Sequence, residues 1–347
     1  MATRSLPAQP SAAPPLSGRR RSVRQPPALL PARAPPAAAA ASLSPVSPLS
    51  DAFLPPWAAS LAVLPPELLV AAPLAATALL APAPRQLAAL AAIILLGVPH
   101  GALDGEIART ALRPRFGRLW FAVFSAPYLA LSALVLLCWS AAPLATLAGF
   151  LALSALHFGA EDAPHGDRLD LAFRGGAPIA PAVLLHPAAT AHLFGTVAGV
   201  PLDAPPAWLL AAALLWLLPA ALWLRRVLSA PGAPAALAEP ALMLALFAAL
   251  PPITAFALYF VAIHAPHHVA ALVADPHRAP RVTSRATALR RAAPVTALTL
   301  LLGVALWPAY AGPAPDRLLA LTLQGLAALT LPHMLLDAWT ERRSRPP

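Results

Sequence analysis

The chain has 347 residues, of which 59% are hydrophobic and only 11% are charged, and its mean hydropathy is +0.68. This balance excludes an ordinary soluble domain and indicates a polytopic membrane protein. The net charge of +10 comes from 24 basic residues, all of them arginine. Because most of these arginines lie between apolar runs, we expect them to face anionic lipid and expect no nucleic-acid surface. The single cysteine, Cys138, excludes a disulfide framework and a cysteine-based metal site.

Residues 1–50 are rich in Pro, Ala, Ser and Arg and show no apolar periodicity, so they are predicted to form a disordered tail. Residues 51–340 are predicted to form one integral-membrane helical domain. A bilayer core of about 30 Å requires roughly 20 apolar residues per helix. Such runs lie near 57–82, 86–104, 119–141, 143–160, 178–200, 206–224, 239–274, 292–310 and 317–338. The predicted fold is an all-α transmembrane bundle with about 8–10 membrane segments.

The run 239–274 is too long for one crossing. Pro251 and Pro252 should break it, because proline removes a backbone donor and clashes with the preceding turn. The arginine clusters between runs are expected on the cytoplasmic side. A break at the two prolines then places a set of histidines at that same side of the bundle. These histidines are His100, His157, His264, His268 and His333.

The sequence Pro-His-x-x-x-Asp occurs twice, each time at the end of a long apolar run. The copies contain His100 with Asp104 and His333 with Asp337. Residues four apart share a helix face, so each aspartate is expected to accept a hydrogen bond from its own histidine. Such a bond orients imidazoles that bind a metal. The motif therefore indicates two oriented ligands.

His264 and His268 are also four residues apart, so both rings can reach one metal from one helix face. With His267 they form an H-x-x-H-H box of the kind found in membrane di-iron desaturases and hydroxylases, which is one alternative function. The sequence has no second box of this kind. Glu161 follows His157 by four residues and is expected to orient it. Ionisable groups inside a membrane are costly unless paired, so these residues are functional candidates.

Five motifs occur in order between about residues 90 and 337. They are Gly97-Val-Pro-His100-Gly-Ala-Leu-Asp104, Ala155-Leu-His157-Phe-Gly-Ala-Glu161-Asp162, Gly175-Gly-Ala-Pro-Ile-Ala-Pro181, Tyr259-Phe-Val-Ala-Ile-His264 through His268, and Leu331-Pro-His333-Met. Together they resemble the Brp/Blh family of membrane β-carotene 15,15'-dioxygenases, which make retinal. The fourth motif departs from the family's usual His-Ser-x-Arg-His, because Ala265 and His267 stand at the Ser and Arg positions. This departure bears on how the substrate is positioned.

The resemblance implies a non-haem Fe(2+) that cleaves the central double bond of β-carotene, or of a related carotenoid, to two retinal molecules. The implied ligands are His100, His157, His264 and His268, with His333 as an alternative ligand. The expected orienting carboxylates are Asp104, Glu161 and Asp337, and the candidate residues of the substrate cleft are Phe158, Tyr259 and Phe260. The implied partners are a carotenoid, dioxygen and the lipid bilayer of the cell membrane, and the retinal would be available to a rhodopsin.

A transporter is the competing class, since buried His/Asp pairs also relay protons or bind a metal ion in transit. The topology places both Pro-His-x-x-x-Asp copies at one membrane face and in the same direction. That arrangement argues against an inverted repeat and leaves a parallel repeat open.

Overall fold

The computed structural model describes Ala76 and residues 80–163, 167–230 and 233–344. The predicted tail at 1–50 and nearly all of the apolar run 57–82 lie outside the described residues. Within the described ranges the chain is helical and has no strand, which confirms the all-α prediction.

Fourteen α-helices can be followed through the described residues. They are α1 Pro82–Ala92, α2 Val98–Gly101, α3 Asp104–Phe116, α4 Trp120–Ala141, α5 Pro143–Asp162, α6 Arg168–Gly176, α7 Ala180–Leu185, α8 Pro187–Ala198, α9 Ala207–Leu228, α10 Ala233–Ala249, α11 Pro252–Tyr259, α12 Ala265–Ala274, α13 Arg285–Leu306 and α14 Ala314–Ser344. Two π-helical segments, Ile93–Gly97 and Phe260–His264, join α1 to α2 and α11 to α12.

Six helical stretches of the described chain are long and apolar enough to cross a membrane. They are Pro82–Ala141, Pro143–Asp162, Ala207–Leu228, Pro252–Ala274, Arg285–Ala309 and Ala314–Thr340. The first would be about 90 Å long as one straight helix. Because a two-residue turn follows Gly101 and a 3₁₀ turn precedes α4, this stretch has room for more than one crossing.

Prolines interrupt two of the apolar runs, 239–274 and 178–200. The run 239–274 breaks as predicted, because α10 ends at Ala249 and Pro252 opens α11. The run 178–200 is not one spanning helix. It is split at His186 into α7 and α8, since the residue before Pro187 is disfavoured in the helical conformation. Neither short helix is long enough to cross a bilayer.

The two π-helical segments lie next to predicted metal-binding histidines in the chain. His264 ends one segment, and His100 follows the other by three residues. The two segments meet where the Phe260 ring lies against Gly97, since a Cβ on Gly97 would sit 2.2 Å from that ring. π-Helical turns inside α-helices are frequent at functional sites.

Helices α5 and α6 pack closely through two glycines. A Cβ on Gly159 would lie 2.4 Å from the carbonyl oxygen of Leu171, and one on Gly175 would lie 2.1 Å from that of Ala155. Small residues let helix backbones approach in this way. The contact fixes the segment of α5 that carries His157.

Replacing Gly175 by alanine should force α5 and α6 apart, because the added methyl would meet backbone atoms that cannot rotate away. We expect a loss of about 1–3 kcal/mol in the free energy of unfolding. Unfolding in detergent would measure it. The matched control is Gly149→Ala on α5, where nothing lies within 4 Å of the added Cβ. Equal stability of the two variants would contradict this packing account.

Candidate metal centre

The structure brings the five predicted histidines together in the interior. Their exposed fractions are 8% for His100, 7% for His157, 0% for His264, 5% for His268 and 4% for His333. Neighbouring rings lie with centroids 4.9–6.1 Å apart. Histidines from separate stretches of the chain thus converge on one buried point.

In every one of these rings the Nδ1 atom faces an oxygen. The facing atoms are the Gly97 carbonyl for His100 at 2.5 Å, Glu161 Oε1 for His157 at 3.7 Å, Asp162 Oδ1 for His264 at 3.2 Å, Glu161 Oε1 for His268 at 3.1 Å and Asp104 Oδ1 for His333 at 2.7 Å. When Nδ1 donates to such an oxygen, the lone pair on Nε2 is left for a metal. The cluster is therefore built to present Nε2 atoms.

The predicted pairing of Asp104 with His100 is wrong. Asp104 instead accepts hydrogen bonds from His333 at 2.7 Å and from the Tyr128 hydroxyl at 2.9 Å. The helix is interrupted by two turn residues after Gly101, so positions 100 and 104 do not share a helix face. Asp104 still orients a clustered histidine, but one from the other copy of the motif.

The predicted pairing of Asp337 with His333 is also wrong. The closest approach is 3.8 Å, from Asp337 Oδ2 to the Nε2 atom of His333. The Nδ1 atom of that ring is already bonded to Asp104, and Arg278 donates to Asp337 Oδ1 at 2.6 Å. Asp337 therefore adds negative charge at the edge of the cluster without orienting a ring.

Glu161 was expected to orient His157, but its carboxylate lies among several imidazoles. Oε1 is 3.1 Å from His268 Nδ1 and 3.3 Å from His333 Nε2, both closer than His157. Oε2 is 3.6 Å from His264 Nε2. One carboxylate therefore touches four of the five rings.

Two residues with clear roles were not assigned from the sequence. Asp162 accepts from His264 at 3.2 Å and from the Tyr259 hydroxyl at 2.5 Å, and it is buried. Tyr128 holds Asp104. Because Asp162 and His264 are 102 positions apart, no local spacing could have paired them. The only sequence signal was a second carboxylate beside Glu161.

The donor atoms fit a metal ion. His157 Nε2 and His264 Nε2 lie 3.2 Å apart. Two imidazole nitrogens that bind one zinc at about 2.0–2.1 Å are about 3.3 Å apart in tetrahedral geometry. His268 Nε2 and Glu161 Oε2 are buried without a hydrogen-bond partner. Such orphaned groups are costly in an apolar interior, and a cation would satisfy both.

The charge of the cluster also favours a cation. Asp104, Glu161, Asp162 and Asp337 have side chains that are at most 16% exposed. Among the described residues, Arg278 is the one arginine in ion-pair contact with these four carboxylates. Buried carboxylates need a compensating charge, and a divalent metal beside neutral imidazoles supplies it. Three overlapping groups have ligand atoms within 4.8 Å of one another, namely His100/His157/His333, His157/Glu161/His264 and Glu161/His268/His333.

An apolar cavity adjoins the cluster. Of the three predicted cleft residues, Phe158 lines it, and the Phe158 ring also meets His264 with centroids 4.9 Å apart. Tyr259 lines a smaller cavity beside Asp162, and Phe260 stacks on His264 with centroids 5.6 Å apart. Further residues around the large cavity are Phe150, Ser154, Phe194, Phe247, Ile253 and Phe256.

The region that matches known proteins includes all five clustered histidines. A family model described as beta-carotene 15,15'-dioxygenase matches residues 91–341. A relative from Halobacterium salinarum, named as a probable beta-carotene 15,15'-dioxygenase Blh, is 32% identical over 76% of this chain and 86% of its own length. No solved structure matches. The chain therefore belongs to the β-carotene 15,15'-dioxygenase family.

Proposed function

We propose that this protein is a membrane-embedded, non-haem iron dioxygenase that cleaves the central double bond of β-carotene, or of a related carotenoid, to two retinal molecules. The observation that carries the proposal is the convergence of five buried imidazoles beside an apolar cavity, inside the region that matches the family. A transporter or a di-iron hydroxylase has no comparable support, since the family match favours carotenoid cleavage.

The proposed ligands of Fe(2+) are His100, His157, His264 and His268, with His333 as the alternative to His268. Both alternatives have support, because His268 Nε2 is buried without a partner and His333 Nε2 faces the same carboxylate as His268. Fe(II) would supply the activation of dioxygen. Neutral imidazoles suit iron, copper and zinc, so the identity of the metal rests on the family.

The role of the surrounding hydrogen bonds is to fix which nitrogen carries the proton. Asp162, itself held by Tyr259, keeps a proton on Nδ1 of His264. Asp104, held by Tyr128, does the same for His333. Each bond leaves Nε2 unprotonated and pointed at the centre, which raises its basicity as a ligand.

The apolar cavity is the proposed site for the carotenoid chain. Its lining of phenylalanine and aliphatic side chains excludes water and suits a long polyene. Phe158 contacts both the cavity and His264, so a bound chain would pass beside the imidazoles. Cleavage of one C=C bond by dioxygen gives two aldehydes and consumes no proton, so the site needs no acid to complete the products.

The location proposed for this reaction is the cell membrane. Six apolar helices of spanning length support a multi-pass protein. A carotenoid dissolved in lipid would then reach the cavity from the bilayer, and the retinal would be released where a rhodopsin takes it up.

The function is tested by expression in a host that accumulates β-carotene. We expect loss of colour and formation of retinal as the single cleavage product, identified by chromatography against a standard. The same host with an empty vector is the control. Intact β-carotene beside well-expressed protein, or apocarotenals of unequal length, would contradict central cleavage.

A further inference from the structure

The carboxylate of Glu161 is placed differently from the carboxylates that only orient an imidazole. Both of its oxygens face ring nitrogens, and Oε2 is buried with no hydrogen-bond partner. By contrast, the orienting carboxylates Asp104 and Asp162 each accept from an Nδ1 atom and from a tyrosine hydroxyl. Those two have both oxygens satisfied. In Glu161, by contrast, the Oε2 atom accepts no hydrogen bond and is free to bind a metal.

The nitrogens that Glu161 faces identify its role. In His264 and His333 the Nδ1 atoms are already occupied by Asp162 and Asp104, so Nε2 is the only nitrogen left to bind a metal. Glu161 Oε2 lies 3.6 Å from Nε2 of His264, and Oε1 lies 3.3 Å from Nε2 of His333. An oxygen that lies beside the metal-binding nitrogens of two rings shares their metal.

We infer that Glu161 is itself a ligand of the metal, so that the centre is a mixed set of imidazoles and one carboxylate. His157, Glu161 and His264 form a group of two histidines and one carboxylate whose ligand atoms lie within 4.8 Å of one another. This donor set, with open positions, is typical of non-haem Fe(II) oxygenases. The carboxylate also places one negative charge on the metal, which four imidazoles alone would not.

The inference rests on the metal centre proposed above and does not depend on the carotenoid as substrate. The experiment therefore uses the purified full-length protein in detergent without carotenoid. Apo-protein is titrated with Co(II), whose visible absorption reports both the affinity and the coordination of the ion. The chain offers matched carboxylate-to-amide variants, Glu161→Gln, Asp162→Asn and Glu239→Gln. Glu239 contacts Arg174 at 2.7 Å, and its side chain is 37% exposed.

We expect Glu161→Gln to change the shape of the Co(II) spectrum and to weaken binding more than Asp162→Asn, whose loss should be about 10–100-fold. Asp162→Asn should keep the wild-type spectrum with lower affinity, and Glu239→Gln should change neither. Glu161→Ala leaves space at the metal, so added acetate should restore the wild-type spectrum in that variant and in no other.

The outcomes separate this inference from the proposed function. A Glu161→Gln or Glu161→Ala protein whose spectrum and affinity match the wild type, or match Asp162→Asn, would overturn Glu161 as a ligand. Should Glu161→Gln not fold, the acetate experiment on Glu161→Ala carries the test, and a Co(II) spectrum that acetate leaves unchanged would overturn Glu161 as a ligand equally. A wild-type protein that binds no Co(II) would overturn both this inference and the metal centre itself.

Discussion

Replacing His264 by alanine is expected to remove the bound metal and abolish retinal formation. The ring is fully buried, its Nδ1 is held by Asp162, and its Nε2 lies 3.2 Å from that of His157. Loss of a residue that only orients a ligand costs about 10–100-fold in metal affinity, so loss of the ligand should cost at least about a hundredfold. Metal content of the purified variant and retinal yield in a carotene-producing host measure the two effects.

The control for this variant is His192→Ala, because His192 lies exposed on α8. It should keep both its metal and its activity. A folded His264→Ala protein with wild-type metal content would contradict the placement of the metal at the imidazole cluster.

Filling the apolar cavity should block the carotenoid while leaving the metal in place. Ser154 is a small residue in its lining, one helical turn before Phe158 on α5. A phenylalanine at position 154 would project into the space proposed for the polyene. Because a displacement of about 1 Å from the reacting geometry can cost about a hundredfold in rate, we expect a loss of that order in retinal formation.

The matched control for cavity filling is Ser154→Ala, which leaves the space open. This variant should turn over β-carotene at a rate close to that of the wild type. Iron content should be equal in wild type and both variants, since Ser154 belongs to none of the three candidate groups of metal ligands. Wild-type activity of Ser154→Phe would show that the substrate lies elsewhere.

The residues of the cluster were predictable because each carries a local signal. An imidazole near the end of an apolar run is costly and therefore informative, and the break at Pro251 and Pro252 follows from proline chemistry. The run 178–200 contains several prolines, and the helix divides there at His186, the residue before Pro187. Hydropathy alone does not distinguish one long helix from two short helices.

The hydrogen bonds of the site could not be predicted, because most of them join distant parts of the chain. The four-residue spacing of His100 and Asp104 predicted a local bond, and the interruption after Gly101 removed it. The bond that formed joins Asp104 to His333, 229 positions away. Spacing rules hold only while a helix is continuous. The doubled motif therefore pointed to two histidines that the fold brings together, but it paired each with the wrong aspartate.

In the proposed reaction, an iron held by the buried cluster would support cleavage of the middle bond of a carotenoid by dioxygen. The most direct test gives purified protein, reconstituted with Fe(II), a known amount of β-carotene under ¹⁸O₂ and analyses the products by mass spectrometry. We expect two molecules of retinal per β-carotene, each labelled before exchange with water, and none from the His264→Ala variant. Unlabelled aldehydes, products of unequal length, or equal yield without iron would contradict it.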